Sequence, residues 1–170
     1  MINESAQRAS GQPNASALKL DEFLPHRLNV CASLVSAALS AVYAERYQIG
    51  VPEWRVLVTL GQFGMMTAKA VGSHSHMHKT KVSRAVALLE RRKLVARKAN
   101  RDDLREAFLS LTPAGRDVYS ELAPIAVGFV TQLMDTLDSD DCAALDRALK
   151  KLIDRSTQLV PDIAKGGDPR

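Results

Sequence analysis

The spacing of apolar and polar positions predicts a mostly α-helical protein. From Leu24 to Val42, apolar residues recur at alternating steps of four and three, which is the period of one helix face. A second apolar stripe, from Val30 to Ala41, runs beside the first. A helix that is apolar on two faces needs two partners, such as its own core and a second subunit.

The same periodicity, together with proline, glycine and N-cap signals, predicts five more helices. They cover Glu53 to Phe63, Thr67 to about Ser73, Lys79 to Arg92, and two longer segments that begin near Thr112 and near Asp138 or Ser139. The residues predicted to face inward are Trp54, Leu57, Val58 and Leu60 in the second helix, and Val82, Ala85, Val86 and Leu89 in the fourth.

The period changes once, after the fourth helix. Leu94 to Lys98 and Glu106 to Leu111 are short segments typical of strands, and the charged residues 99–105 between them predict a β-hairpin. The fold class is therefore mostly α with a small two-stranded β-wing, a winged helix-turn-helix flanked by N- and C-terminal helices. We expect a single domain at 21–160, with the winged helix at about 51–111, outer helices at about 22–47 and 113–158, and tails at 1–20 and 161–170.

Length and composition limit the class of protein. The chain has 170 residues, of which 46% are apolar and 25% charged, enough for one domain with a buried core. Its two cysteines form no disulfide framework, and its first twenty residues hold no apolar segment typical of a secretion signal. The most apolar stretch, Val30 to Ala44, is interrupted by serines and is judged too short to span a bilayer. We therefore expect a cytoplasmic protein with no membrane partner.

The charge distribution indicates a nucleic-acid partner. The formal net charge is only +4, but nine Lys and Arg residues and one acidic residue, Glu90, lie between His74 and Arg101. The rest of the chain is net negative. One basic element on a mildly acidic body is typical of nucleic-acid-binding proteins, whereas a solvated helix face normally mixes both signs.

The fourth helix carries residue types that read DNA. A helix fits the major groove, and its N-terminal residues reach the base edges, where Arg84 can donate two hydrogen bonds to a guanine. The predicted contacts to bases or phosphates are Thr67, His78, Lys79, Thr80, Lys81, Ser83 and Arg84, and the residues predicted to hold phosphates farther along are Arg91, Arg92, Lys93 and Lys98.

The tip of the hairpin offers a second DNA contact. Arg101 and Arg105 suit the minor groove, where the negative potential attracts arginine, and Asp103 is expected to orient Arg105. The alternative is a surface ion pair that contributes at most ~1 kcal/mol.

An ordered set of motifs runs through this region. In chain order they are Lys79-Thr80-Lys81-Val82-Ser83-Arg84, Leu88-Leu89-Glu90-Arg91-Arg92, Leu94-Val95-Ala96-Arg97, Asp103-Leu104-Arg105 and Leu111-Thr112-Pro113-Ala114-Gly115. With them, the segment from about Leu24 to Leu152 resembles the MarR family of dimeric winged-helix transcriptional regulators. The resemblance implies a homodimer built from the first, fifth and sixth helices, a palindromic double-stranded DNA operator, and release when a small, often aromatic, ligand enters a cleft between the dimer arms and the reading heads.

Two positions depart from the usual pattern of that family. Lys93 stands where glycine is usual after the fourth helix, and a left-handed conformation there costs ~1 kcal/mol with lysine. His78 stands where an acidic or polar N-cap is common. Because imidazole caps a helix poorly, His78 is open to a phosphate contact instead.

Four residues are candidates for binding an effector. His26 and Arg27 on the first helix, and Trp54 and Arg55 on the second, pair a cation with an aromatic ring and could hold the carboxylate or thioester of an aromatic acid. The segments around them look similar to regulators of hydroxycinnamate and benzoate breakdown, some of which respond to aryl-CoA thioesters. The alternative for Trp54 is a core anchor of its helix.

Other function classes compete with a ligand-controlled regulator. His74, His76 and His78 could bind zinc, although no cysteine or carboxylate lies near them in the sequence, and polar turn residues are the alternative. Cys31 could sense oxidants, with Arg27 lowering its pKa, although its place on the apolar stripe favours an inert packed thiol. A sequence-independent architectural DNA binder is a further alternative. We expect a homodimeric, ligand-responsive repressor without enzymatic activity, catalytic residues or cofactor.

Overall fold

The computed structural model describes residues 18–99 and 106–159. Its helices are α1 (Leu24–Tyr47), α2 (Val51–Phe63), α3 (Ala68–Ser75), α4 (Lys79–Arg91), α5 (Pro113–Met134) and α6 (Ser139–Leu159), preceded by a 3₁₀ turn at Leu20–Glu22. The strands β1 (Met66–Thr67), β2 (Val95–Ala99) and β3 (Ala107–Leu111) form one antiparallel sheet in the order β1-β3-β2. The predicted fold class is confirmed, and β1 is a third strand that the sequence pattern did not predict.

Contacts divide the chain into two compact units, with the boundary after Ala37 inside α1. The helix itself has 24 residues, and its most apolar 18-residue window has a mean hydropathy of 1.4. By length and composition α1 is able to cross a membrane, so the judgement that the apolar stretch is too short was wrong: the helix extends beyond Val30 to Ala44 at both ends. The same features fit a helix packed between a core and a second subunit, as its two stripes predict.

The core of the second unit lies between α2, α3, α4 and the sheet. In α4 the four residues predicted to face inward are all buried, which confirms the prediction for this helix. In α2, Leu57 and Leu60 are buried as predicted, but Trp54 and Val58 are half-buried. Val56 and Thr59 are buried in their place, and the hydroxyl of Thr59 donates to the carbonyl of Arg55 at 2.7 Å, so its burial leaves no polar group unpaired.

Side-chain caps set the ends of several helices where the sequence predicts them. The side-chain oxygens of Thr67, Thr112 and Asp138 accept backbone N–H groups three residues ahead at 3.2, 3.0 and 2.8 Å. Gly64 ends α2 with a φ of 76°, a conformation that glycine adopts without steric cost. These predicted boundaries are confirmed.

The connection from α4 to β2 is compact. Lys93 has a φ of 59°, so the left-handed conformation usual for glycine is present with lysine. The N–H groups of Lys93 and Leu94 donate to carbonyls of the last turn of α4 at 2.9 Å each. Gly115 of α5 lies against this connection, since a Cβ atom placed on it would come within 2.0 Å of the Leu94 carbonyl oxygen.

The helices α5 and α6 expose apolar side chains. In α6 Leu145, Leu149, Leu152 and Ile153 are 37–58% exposed, and none of the residues of this helix is buried. A groove of about 770 Å³ runs between the two helices and is lined by residues that include Val127, Val130, Met134, Leu137 and Cys142. An apolar surface of this kind is typical of one that packs on a partner.

Candidate nucleic-acid interface

The first turns of α4 present polar and cationic side chains to solvent. Lys79, Thr80, Lys81, Ser83 and Arg84 are all exposed. Among the described residues, none of these five side chains makes a hydrogen bond or an ion pair, so their donors are available to a ligand. Lys79, Lys81 and Arg84 are basic. Of the three, only Arg84 has the planar guanidinium that can donate two parallel hydrogen bonds to a base edge or a phosphate.

The opposite face of α4 holds this surface in place. Val82 and Val86 are 1% exposed, and Ala85 and Leu89 are fully buried. Because residues three and four apart share one face of a helix, burial of this set turns the polar residues between them outward. The sequence therefore fixes which side of α4 faces a partner.

Three histidines, His74, His76 and His78, lie from the last turn of α3 to the start of α4, and each makes different contacts. His74 stacks on the ring of Phe63 with centroids 4.3 Å apart, and His76 ends α3 in a left-handed conformation. His78 is the N-cap of α4, and its Nδ1 accepts the N–H of Thr80 at 3.4 Å, the long bond expected of a poor cap. Over residues 18–99 and 106–159, no group of three or more metal-binding side chains comes together, so these histidines do not form the zinc cluster considered from the sequence.

Thr67 is half-buried at the start of α3. Its hydroxyl oxygen accepts the N–H of Ala70, which leaves the hydroxyl hydrogen as a donor. It remains a predicted DNA contact with one donor to offer.

Two of the basic residues near α4 are engaged within the protein. Arg97 of β2 holds Glu90 with two parallel hydrogen bonds of 3.0 Å each, and these bonds raise the pKa of Arg97 above its usual value. Arg92 is half-buried and donates to the carbonyl of Tyr47, so the prediction that it holds a phosphate does not fit its contacts. In the described residues, Arg91, Lys93 and Lys98 are exposed without such partners.

The predicted wing contacts Arg101 and Arg105, with Asp103, lie outside the described residues. The strands that lead to them, β2 and β3, pair over five residues, from Val95 opposite Leu111 to Ala99 opposite Ala107.

The predicted effector residues fall in both compact units. Trp54 is half-buried, packs on the core and stacks on Tyr43 with centroids 5.3 Å apart, which supports its interpretation as a core anchor. Burial raises the pKa of Tyr43 to about 12, while Arg55, exposed on α2, acts in the lowering direction. His26 and Arg27 lie in the first turn of α1, in the other unit, so a shared effector site remains a prediction.

The cysteines differ in environment. Cys31 is exposed in the single chain, and its packing against a second subunit stays a prediction. Cys142 is half-buried and lines the groove between α5 and α6.

Comparisons with known proteins bear on this architecture. Residues 47–106 match the model of the MarR family. A search of curated proteins found no match. Many solved structures are similar, among them a MarR/EmrR family transcriptional regulator from Acinetobacter sp. ADP1, with 24% identity and a TM-score of 0.75, which covers 83% of this chain and 99% of that one.

Two further similar structures are described together with a molecule that the protein binds. BpsR from Bordetella bronchiseptica, whose DNA binding is regulated by 6-hydroxynicotinic acid, has 22% identity and a TM-score of 0.73, covering 82% of this chain and 99% of that one. Sco3205 from Streptomyces coelicolor, a MarR family transcriptional regulator in complex with DNA, has 23% identity and a TM-score of 0.71, covering 84% and 91%. The segment that includes the winged helix therefore matches the model of the MarR family, and over most of its length the chain has the fold of solved MarR family regulators.

Proposed function

We propose that the protein is a DNA-binding transcriptional regulator that acts as a homodimer on palindromic DNA and is released by a small aromatic effector. The observation that carries the proposal is the first half of α4, where a basic, hydrogen-bonding surface stands on a buried apolar face and has no polar partner among residues 18–99 and 106–159. A helix presented in this way fits the major groove.

The specificity of binding is assigned to Arg84 with Thr80 and Ser83. Arg84 pairs with guanine, the two hydroxyls contact bases or phosphates, and Lys79 and Lys81 neutralise phosphates. The wing residues Arg101 and Arg105 enter the minor groove beside it, with Asp103 orienting Arg105. His78 and Thr67 contact the DNA backbone.

The homodimer is supported by the exposed apolar faces of α5 and α6. Leu145, Leu149 and Ile153 are 39–58% exposed on α6, and Val127, Val130 and Leu133 are 41–67% exposed on α5. Apolar surface of this extent is rare on a monomer and typical of an interface between subunits. A two-fold dimer in turn places two reading helices about one turn of DNA apart, which requires a palindromic site.

The effector is assigned to the class of aromatic acids or their CoA thioesters. Trp54 and Arg55, with His26 and Arg27, offer aromatic and cationic groups, and BpsR, of the same fold, responds to an aromatic acid. The effector releases DNA by stabilising a dimer whose reading heads no longer match the grooves, which requires different affinities for the two states. The protein is then a cytoplasmic repressor without enzymatic activity.

The DNA-binding proposal is tested by selecting duplexes from a random-sequence pool with the purified protein and titrating the product. We expect a palindromic consensus, bound by the wild type with an affinity that falls steeply as salt rises. Arg84→Ala should bind the selected and a scrambled duplex almost equally, whereas Arg105→Ala should weaken both to a similar extent. A selection without a consensus contradicts a sequence-specific regulator and favours an architectural binder.

The effector proposal is tested separately, by adding aromatic acids and their CoA thioesters to the preformed complex. Release by one of them, and its loss in Arg55→Ala, supports the assignment. Release only by oxidants, and its loss in Cys31→Ser, favours the second candidate, a redox-sensing repressor that uses Cys31.

A further inference from the structure

The last turn of α1 is held from two sides by polar side chains. On one side Arg92, which directly follows α4, donates from Nη1 to the carbonyl oxygen of Tyr47 and from Nη2 to Gln48 Oε1 at 3.5 Å. On the other side Glu121 of α5 accepts hydrogen bonds from the hydroxyl of Tyr47 and, at 2.9 Å, from Nη2 of Arg46. These contacts connect α5, through the end of α1, to the end of α4.

The contact made by Arg92 is one that a helix end favours. Tyr47 is the last residue of α1, and the final carbonyl groups of a helix have no partner within it. A cation placed there satisfies one of them and is attracted by the negative end of the helix dipole. The planar guanidinium can also reach a second acceptor, here Gln48, which lysine does less well.

The backbone of Arg92, like its side chain, is held by a hydrogen bond. Its N–H donates to the carbonyl of Leu88 at 3.1 Å, and the left-handed Lys93 follows it. Side chain and backbone therefore join the end of α4 rigidly to the end of α1. Arg91, one residue earlier, is exposed and makes no hydrogen bond or ion pair within the described part of the chain.

We infer that Arg92 is a positioning residue, which sets the placement of the reading helix through the end of α1 and does not contact DNA. The inference rests on the proposed function, because it concerns how α4 is presented to a duplex. Arg91 is its counterpart, a cation on the same helix end that is available to a phosphate. Since Glu121 and Arg92 hold the same turn of α1, a displacement of α5 reaches α4 through it.

The salt dependence of DNA binding separates the two arginines. The probe is the duplex selected by the wild-type protein, titrated at several salt concentrations with Arg91→Met and Arg92→Met, which remove the same charge from adjacent positions. Each lost phosphate contact lowers the slope of log affinity against log salt by about 0.9, so a homodimer that loses one contact in each subunit changes the slope by about 1.8. We expect that decrease in Arg91→Met, and in Arg92→Met an unchanged slope with an affinity roughly 3- to 30-fold lower.

The lysine variants provide a second readout that does not depend on tolerance of the methionine. Lysine binds phosphate well but serves the two acceptors at the end of α1 less well than the planar guanidinium does. Arg91→Lys should bind like the wild type, and Arg92→Lys should retain most of the defect of Arg92→Met. Circular dichroism establishes that each variant is folded. Wild-type affinity in Arg92→Lys, or a slope decrease in Arg92→Met equal to that in Arg91→Met, overturns the inference.

The connection to α5 is tested with Glu121→Gln, alone and combined with Arg92→Met. Glu121 lies on another helix, so a simple surface charge would add its effect independently. We expect the double variant to lose less affinity than the product of the two single losses. Strict additivity overturns the connection through α1. A wild-type protein that binds no duplex contradicts the proposed function itself, whereas wild-type binding combined with either overturning result contradicts this inference alone.

Discussion

The winged helix and the two C-terminal helices solve the burial of apolar residues differently. In the winged helix, Val56, Leu57, Val71, Leu89 and Leu109 are completely buried within one chain. In α6, a helix with an equally clear apolar stripe, no residue is buried. One region completes its core with its own chain, and the other presents half of a core.

This difference indicates how the work is divided in the molecule. A part that must hold side chains in a fixed arrangement against a duplex needs a closed core, because close packing limits side-chain movement. A part that joins two copies needs an open apolar face. The contrast leads to expectations that differ by region, even for the same substitution.

The largest effect on the stability of a single chain is expected from truncation of the closed core. Leu89→Ala should lower the free energy of unfolding by about 3 kcal/mol, through lost burial and a cavity between α4 and its neighbours. Chemical denaturation measures it. Leu149→Ala on α6 is the matched comparison. Its loss of stability should appear only at protein concentrations at which a dimer forms. Equal, concentration-independent losses would contradict the contrast between the two regions.

A charge placed on the open face should disrupt assembly while leaving the winged helix intact. We expect Leu149→Asp to weaken self-association on the order of 10,000-fold, because a homodimer buries two unpaired carboxylates, each at a cost of about 3 kcal/mol. Analytical ultracentrifugation measures the dissociation constant. Lys151→Ala, which changes the net charge by the same amount on the opposite face of α6, serves as the control and should leave it nearly unchanged.

Two glycines of α5 sharpen the comparison within one helix. Gly115→Ala forces a Cβ against the carbonyl of Leu94, so we expect a loss of about 1–3 kcal/mol in stability. An added Cβ on Gly128 meets no atom of the described residues within 4 Å, and Gly128→Ala should raise helix stability by up to about 1 kcal/mol. Thermal melting of monomeric protein measures both, and a loss of similar size in both would show that the tight contact at Gly115 is not the cause.

The smallest expected effect is a gain in the stability of the winged helix. Lys93→Gly relieves the left-handed backbone at the end of α4 and should stabilise the winged helix by up to about 1 kcal/mol. Lys98→Gly removes the same charge from β2, where glycine is unfavourable, and should destabilise it by a similar amount. Denaturation midpoints compare the two, and a destabilised Lys93→Gly variant would mean that its side chain contributes contacts of its own.

The sequence correctly predicts which residues face the core in a helix that buries only one face. The inward set of α4 follows from its period, because polar residues separate Val82, Val86 and Leu89 clearly. In α2, apolar residues stand next to one another from Val56 to Val58, so the period does not fix which of them faces the core. The strand β1 has two residues, too few for any alternation to show.

The candidate site divides in the same way. The exposed residues at the start of α4 follow from local pattern, since the buried positions determine the opposite face. The role of Arg92 depends on a carbonyl 45 residues earlier in the chain, and no local pattern carries that information. Among arginines of similar sequence context, only the three-dimensional contacts show which ones form hydrogen bonds to other residues of the protein.

The double hydrogen bond between Arg97 and Glu90 has a consequence for regulation. It joins the first wing strand to α4, so under the proposed function we expect the reading helix and the base of the wing to move together within one copy. Such a body can change its fit to a duplex only by translation or rotation as a whole. Under the proposed function, an effector therefore has to alter the distance or angle between the reading heads of the dimer, and a crosslink that fixes that distance should make DNA binding insensitive to the effector.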